Sequence, residues 1–571
     1  MLNQLLEQAS VGQPLWLPDL RHTFAQMPDG ASLIARLKSF DGNVRDFAHT
    51  LPRWSDEAER ALVRDYLCAT VYNTLSVCGG SEMSFFVDPT ESELLALLRE
   101  LPELFQLKAS PRGGLGKVVS IANRMGRAFG EKEFCFTIND IAAYQEADVL
   151  PERAKPLDGA LRALCEAAED VNCVGVDVGG TDIKLAASLN GRLIAVKEYD
   201  WNPAVYQTAE EIIAPILLLT RLMRACIAAG GADGELKRAL EKDAGDAEIA
   251  AAVAAAESRA DVNVLDAVGV SFPDIVLYDR IAGGETPKTS GMRRNAAVDY
   301  EAEFAKLGTL QEQLRGLCRG EGRCHIVNDG NMAAFTAAME LACGETPERI
   351  GQGVVAHSLG TDLGTGWLDA GGKIPQLPLE FYDVWLDLGS APSAKLPPED
   401  LRATRNENSG LPGLRRYLGQ SAAYRLAWEL DPHLLDGFTE ERDGVLRIAS
   451  TPGDLRKPCL EHLMQESGEG NGAAEEVFRR IGRNFGVMSR ELDYLLRPGT
   501  ERRFLFGRFV KSERCFALLR EGCAEAAPEL CLENGGEDLA NTPLMAQLVR
   551  REDATVAQFA QAVGSIYYAL T

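Results

Sequence analysis

The sequence predicts an α/β protein built on mixed sheets, and three observations carry the prediction. Residues 174–192, VGVDVGGTDIKLAASLNGR, read strand, Gly-Gly-Thr turn, strand, Asn-Gly turn. Residues 354–373 repeat that plan: strand, Gly-Thr turn, strand, glycine turn. Around them, apolar runs of strand length are interleaved with stretches of helical spacing, the pattern of sheets covered by helices. The repeat is one of architecture, not of residues.

In the first unit, Asn190-Gly191 joins two apolar runs and signals a hairpin, because both central residues of a type I′ turn need positive φ. Gly179-Gly180-Thr181 therefore lies between two strands. Without a Cβ at either glycine, its backbone N–H groups can come close to a phosphate. A Rossmann or Walker loop would put a helix there, so a different phosphate-binding design is expected.

The chain has 571 residues, enough for two to four domains. Its formal net charge of -25 repels nucleic acid and anionic membrane. The 13 cysteines are scattered without a C-x-x-C pair and no basic leader opens the chain, which points to reduced thiols and a cytoplasmic protein. The best apolar candidate, residues 212–219, is too short to cross a bilayer.

Taken in order, residues 1–170 read as mostly helical. Helical spacing runs over 57–68, and a helix over 91–101 has Asp88 or Thr90 as its expected N-cap. Residues 112–117, RGGLGK, invite a P-loop reading that fails, since Pro111 stands where the first glycine belongs and Val118 replaces Ser/Thr; a loop without catalytic role is expected. After the hairpin, 208–229 read as a long amphipathic helix and 230–261 as a solvated helical insertion. Residues 264–276 form a strand ending in Ser271-Phe272-Pro273, and 283–295 a glycine-rich basic loop with Lys288, Arg293 and Arg294. A short strand at 325–327 leads through Asn328-Asp329-Gly330-Asn331 into a helix over 332–342. Residues 376–458 resist assignment. A long helix over 473–496, a strand over 503–506 followed by Gly507, and a closing helix over 554–570 complete the reading.

Two glycine-threonine hairpins flanking a strand that ends in Asn-Asp resemble the actin-like ATPase superfamily and, more narrowly, the ROK family of sugar kinases and repressors. The motifs are VGVDVGGTDIK (174–184), VGVSFPD (268–274), VNDGNMAAF (327–335), SLGTDLGTG (358–366) and LLRPGTERRFLFG (495–507). The resemblance implies a two-lobed actin-like ATPase (ribonuclease H-like) fold, here with a mainly helical N-terminal extension. Residues 1–170 would be that extension, 171–327 the first lobe, joined by the helix over 554–571, and 328–553 the second. It implies ATP and a sugar in the cleft between the lobes. Asp177, Gly179, Gly180 and Thr181 match the first phosphate segment, with Lys184 beside it and Asp177 placing Mg2+ through water. Gly360, Thr361 and Gly364 match the second, and Gly507 the nucleoside site, where Arg508 replaces a second glycine. Asp329 matches the catalytic base and Asn328 a sugar contact. A carboxylate at a strand's end suits that role, since a sugar hydroxyl must lose its proton as it attacks phosphorus; the same residue in Asn-Asp-Gly-Asn also suits a helix cap.

The chain departs from the family in the segments that follow. Glu380 is retained in LPLEFYD (377–383), with Asp383 where a histidine belongs. In SGLPGLRRY (409–417), serine and leucine replace zinc-binding cysteines and Arg416 replaces a sugar-binding glutamate, so no zinc site is expected and Arg416 is expected to meet an anionic group of the substrate. Asp362 puts a carboxylate into the second phosphate turn. The function expected is ATP- and Mg2+-dependent phosphorylation of a sugar hydroxyl by a cytoplasmic enzyme. Its partner is a small carbohydrate, with no nucleic acid and no membrane, and a homodimer is compatible with it. The alternative is a catalytically weak or inactive sensor of sugar or nucleotide.

Overall fold

The computed structural model describes residues 2–40, 42–146, 157–284, 286–360, 362–389, 396–406, 410–450, 453–536 and 539–571. Near the N-terminus, β1 (Ala31–Lys38), β2 (Val44–Leu51), β3 (Glu82–Val87) and β4 (Cys135–Asp140) form a sheet in the order β2-β1-β3-β4. Helices outnumber strands in this region, as the sequence predicts, but they pack on a sheet that it did not announce. Leu33, Ala35 and Leu37 bury one face of β1 in a period of two. Helix Glu57–Cys78 starts where the Asp56 side chain accepts from the N–H of Glu59. Helix Ser92–Leu104 has no side-chain cap; Asp88, an expected cap, accepts instead from the N–H and hydroxyl of Thr90. Residues 116 and 117 are not in a loop: helix Gly116–Ala128 begins there. This region shares one hydrophobic core with the second sheet described below, Leu33, Leu75, Leu359 and Phe478 among its members.

The first central sheet contains β5 (Asn172–Val178), β6 (Asp182–Leu189), β7 (Arg192–Asp200) and β8 (Ala267–Phe272), then, after the two-residue pair β9 (Val276–Leu277) and β10 (Arg280–Ile281), β11 (Arg323–Asn328). Its order is β11-β8-β5-β6-β7, with β5 antiparallel to β6 and parallel to β8. The expected turn is present, Asn190 at φ 47° and Gly191 at φ 71°. Val174, Val176 and Val178 point to one face, under helix Ala209–Ala228, whose N-terminus carries a capping box between Thr208 and Glu211. The opposite face takes helix Val556–Tyr568. A Cβ on Gly175 would lie 1.8 Å from the carbonyl oxygen of Ala562, and one on Gly269 1.8 Å from that of Ser565, so two glycines admit this helix onto the strands.

The second central sheet contains β12 (Val354–Leu359) and β13 (Leu363–Leu368), then, beyond the small hairpin β14 (Thr439–Arg442) and β15 (Val445–Ile448), β16 (Arg502–Gly507) and β17 (Cys531–Asn534). Its order is β13-β12-β16-β17, with β12 antiparallel to β13 and parallel to β16. Each sheet thus has a hairpin whose first strand runs parallel to a later strand, the architectural repeat read from the sequence and the two-lobed α/β fold it implied. Helix Asp329–Cys343 crosses β13 at close range. A Cβ on Gly330 would meet Thr365 O at 2.4 Å, and one on Gly366 would meet Gly330 O at 1.9 Å. Helix Gly472–Leu496 is capped by Asn471, stops at Arg497 with φ 51°, and fills the stretch predicted for it.

Candidate functional site

Two adjoining cavities lie where the two hairpin turns meet. One, of about 620 Å³, is lined by Asp177, Lys184, Thr336, Gly507, Arg508 and Asn534. The other, of about 510 Å³, is lined by Gly180, Thr181, Asp329, Gly360, Gly364 and Glu380. Ser358 and Gln561 line both, so the cavities form one cleft.

The first turn is built to present N–H groups. Gly179 N–H bonds to Asp182 O at 2.8 Å, closing the turn. Trp201 takes up two of its acceptors: the indole N–H donates to Gly179 O at 3.1 Å and the backbone N–H to Thr181 O at 3.0 Å. Among the described residues no hydrogen bond engages the N–H of Gly180 or Thr181. Lys288 lies over this turn, its Cε 3.3 Å from where a Cβ of Gly180 would stand. The second turn closes in the same way, Gly360 N–H on Asp362 O at 3.0 Å. Thr361 lies outside the described residues, but Gly360 and Asp362 on either side of it line the same cavity as Asp329. Gly507 ends β16 at φ 109°, and a Cβ there would stand 2.2 Å from Leu359 O, which explains the glycine.

Asp177 leaves β5 opposite Lys184. Burial pushes its carboxyl up to about 6; a hydrogen bond from Ser271 and the charge of Lys184 oppose that, while Asp329 and Asp182 add to it. Lys184 itself is held by Asp182. The charge of Asp329 reaches Asp177 across the cleft, and Asp177, with that second acid nearby, suits a divalent cation.

Asp329 opens helix Asp329–Cys343 without capping it. The cap is Asn328, whose Oδ1 accepts from Gly330 N–H at 2.9 Å and whose Nδ2 donates to Asp274 O at 2.9 Å. Asp329 keeps one described bond, Oδ1 to Gly330 N–H at 2.8 Å, and lines the cavity.

Glu380 also lines the cavity. Burial pushes its carboxyl up to about 8, with Asp274 and Asp383 adding to the shift and a hydrogen bond from Tyr382 and the charge of Lys117 opposing it. The segment that carries it is held by helix Glu57–Cys78. Leu379 N–H donates to Val77 O at 3.0 Å, Ser76 Oγ to Glu380 O at 3.1 Å, and Trp385 N–H to Asn73 Oδ1 at 2.7 Å.

Two expected substrate contacts are corrected. Asp383 is absent from the cavity wall and 3 % exposed; it accepts from Tyr72 Oη at 2.7 Å, Lys117 Nζ at 2.6 Å and Asn406 Nδ2 at 2.8 Å. A buried carboxylate with three donors is a structural ion, and Lys117, set aside with the failed P-loop, is its counter-charge. Arg416 is 4 % exposed and donates to the backbone carbonyls of Arg405 and Pro398; its guanidinium ties loops together and does not reach the cavity wall. Its neighbour Arg415 is the one near the site, pairing with Asp362 at 2.6 Å. Ser409, the first position of the altered zinc segment, lies outside the described residues. Among the described residues no group of three or more His, Cys, Asp or Glu is arranged to hold a metal ion, and no helix is long and apolar enough to cross a membrane.

The reading of the sequence missed Asp274, Tyr382, Arg415, Gln561 and Trp201. Asp274, Tyr382 and Arg415 stood in segments already singled out; Gln561 and Trp201 reach the site through the packing of distant elements, which periodicity does not report.

No family model and no curated protein matches the chain. Among solved structures, the chain is similar to a ROK family glucokinase from Streptomyces griseus in complex with glucose and AMPPNP, at 18% identity, covering 70% of this chain and 99% of that one, with a TM-score of 0.39. It is similar to a ROK hexokinase from Thermus thermophilus at 16% identity, covering 70% and 98%, with a TM-score of 0.40. It is also similar to a ROK family transcriptional regulator, a homolog of the E. coli MLC protein, at 12% identity, covering 71% and 81%, with a TM-score of 0.37.

Proposed function

We propose that the protein transfers the terminal phosphoryl group of ATP to a hydroxyl of a sugar or sugar derivative. One observation carries the reading: Asn328 caps the helix and leaves Asp329 at the cavity wall, between two glycine turns, with a carboxylate to spare. In this reading the nucleotide lies in the larger cavity, against Gly507 and below Lys184, with its phosphates between the turns at Gly180 and Gly360. Residues 171–327 with the helix over 554–571 form one lobe, 328–553 the other, and residues 1–170 buttress the second.

The steps assigned to this chain are few. Glu380, Asn328 and Asp274 bind and orient the sugar. Asp329 takes the proton of the attacking hydroxyl as the new O–P bond forms and the bond to the leaving diphosphate breaks. The N–H groups of Gly180 and Thr181 and the ammonium of Lys288 oppose the charge on the phosphate oxygens. A magnesium ion, when bound with the nucleotide, would be held by Asp177 through water and would neutralise phosphate charge.

A second reading, a sensor that binds without turnover, is favoured by Asp362, a carboxylate in the phosphate turn. An ADP-release assay over neutral and acidic sugars separates the two. Transfer gives turnover that Asp329→Asn abolishes; a sensor binds ligand and releases no ADP. Turnover by Asp329→Asn at the wild-type rate would remove Asp329 from the role of base.

A further inference from the structure

Asp274 lies in the loop after β8, is 3 % exposed, and lines the same cavity as Asp329 and Glu380. Its Oδ1 accepts from the N–H groups of Ile275, at 2.7 Å, and Gly284. Its Oδ2 is buried too and accepts nothing among the described residues. Leaving a carboxylate oxygen dry and without a donor is costly, and the residue that carries it is part of the wall of a cavity of small-molecule size. The backbone carbonyl of Asp274 holds Nδ2 of Asn328 at 2.9 Å, and Asn328 directly precedes Asp329. A ligand group bonded to Asp274 is therefore fixed relative to the proposed base.

The rest of the wall has matching chemistry. Glu380 and Asp329 are carboxyl groups. The cations around them are engaged: Lys117 by Asp383, Arg124 by Glu301, Arg415 by Asp362, and Arg416 by backbone carbonyls. Lys288 lies against Gly180, at the phosphate end. An acidic group on the substrate would meet the carboxylates of Asp274 and Asp329 here, with a protonated Glu380 beside them; a donor would complete Asp274.

We infer that Asp274 is a specificity-determining residue whose Oδ2 accepts a hydrogen bond from a hydroxyl or ammonium group of a neutral or cationic sugar, and that the cleft refuses acidic sugars. The inference rests on the phosphoryl-transfer reading for its substrate class.

Asp274→Asn tests it sharply. The N–H groups of Ile275 and Gly284 pin the amide oxygen at the Oδ1 position, so the amide nitrogen must occupy that of Oδ2, and an acceptor becomes a donor. A neutral hexose, its 2-amino counterpart, its uronic acid and a set of monodeoxy analogues are assayed by ADP release and by calorimetry, with ADP affinity as the control for folding. Wild type is expected to use the neutral or the amino sugar and not the uronic acid. Asp274→Asn is expected to lose about 10- to 100-fold in kcat/KM for that sugar at unchanged ADP affinity. The deoxy sugar lacking the contacted group should be poor for wild type and no worse for the variant. Preference for the amino sugar identifies an ammonium donor, and preference for the neutral sugar a hydroxyl; both support the inference. Equal use of the uronic acid, or unchanged kinetics in Asp274→Asn, overturns it. If wild type turns over no sugar, the transfer reading fails by itself. Calorimetry then decides: sugar binding that Asp274→Asn weakens upholds the inference, and absence of sugar binding overturns it. Should Asp274→Asn lose ADP affinity, Asp274→Ser replaces it, with the same loss expected.

Discussion

Asp362 and Arg415 are joined by an ion pair of 2.6 Å at the rim of the second glycine turn, the carboxylate side chain 35% exposed and the guanidinium 19%. The pair lessens the repulsion that this acid offers an approaching phosphate, because much of its charge is matched. Arg415→Met should leave Asp362 opposing the nucleotide and weaken ADP or ATP binding by about 5- to 30-fold, in line with roughly 1–2 kcal/mol for a partly desolvated pair. Arg415→Met combined with Asp362→Gly should recover most of that loss. Nucleotide calorimetry on the single and double variants checks both; equal affinity in Arg415→Met and wild type would show that the pair lies apart from the phosphates.

Removing the proposed base should act on chemistry and spare binding. Asp329→Asn keeps the acceptor that Gly330 N–H needs, so the helix start survives. Turnover should fall by on the order of 10²–10⁴-fold while sugar and nucleotide affinities change little. Single-turnover ADP release beside equilibrium binding separates the two quantities.

The buried Lys117–Asp383 pair joins helix Gly116–Ala128 to the segment that carries Glu380. Lys117→Met strands a carboxylate that Tyr72 and Asn406 still bond but no charge balances, and should destabilise the protein by about 3–5 kcal/mol. Lys117→Met with Asp383→Leu should cost less than the single change, because no ion is then stranded. Denaturant titrations of the two variants measure the difference.

Glu380 gives a prediction for pH. Its carboxyl is pushed up to about 8, so the folded state holds a proton that the unfolded state releases near the ordinary value of 4.5. The folded protein then binds more protons than the unfolded one across that interval, and stability contributed by this group falls as pH rises from about 4.5 to 8. Glu380→Gln, neutral at every pH, should flatten this slope: its melting temperature relative to wild type should rise between pH 5 and pH 8. A parallel pair of melting curves would contradict the buried, protonated acid.

The two hairpins were legible because glycine, threonine and asparagine occur where the backbone demands them: Asn190-Gly191 at positive φ and Gly179 and Gly360 at the closed turns. Asp329 and Glu380 were legible through their segments. Asp383 and Arg416 were misassigned because position along a motif says nothing of which way a side chain turns once a new neighbour supplies a partner. Here Lys117 draws Asp383 inward, and the carbonyls of Arg405 and Pro398 draw Arg416 away. The sheet β1–β4 escaped notice although Leu33, Ala35 and Leu37 alternate plainly, because β3 and β4 are short and stand among the helices Glu57–Cys78, Ser92–Leu104 and Gly116–Ala128, which dominate the region. Residues 376–458 stayed unread because their short elements are fixed by contacts with residues far away in the chain, not by local pattern.

The glycine contacts of β5 and β8 with helix Val556–Tyr568, Gly175 on Ala562 and Gly269 on Ser565, join positions 387 and 296 residues apart. During synthesis the strands emerge long before their cover does. One apolar side of the growing sheet must stand open until that late helix arrives, so folding of this half is tied to the pace of translation and lends itself to protection by a chaperone.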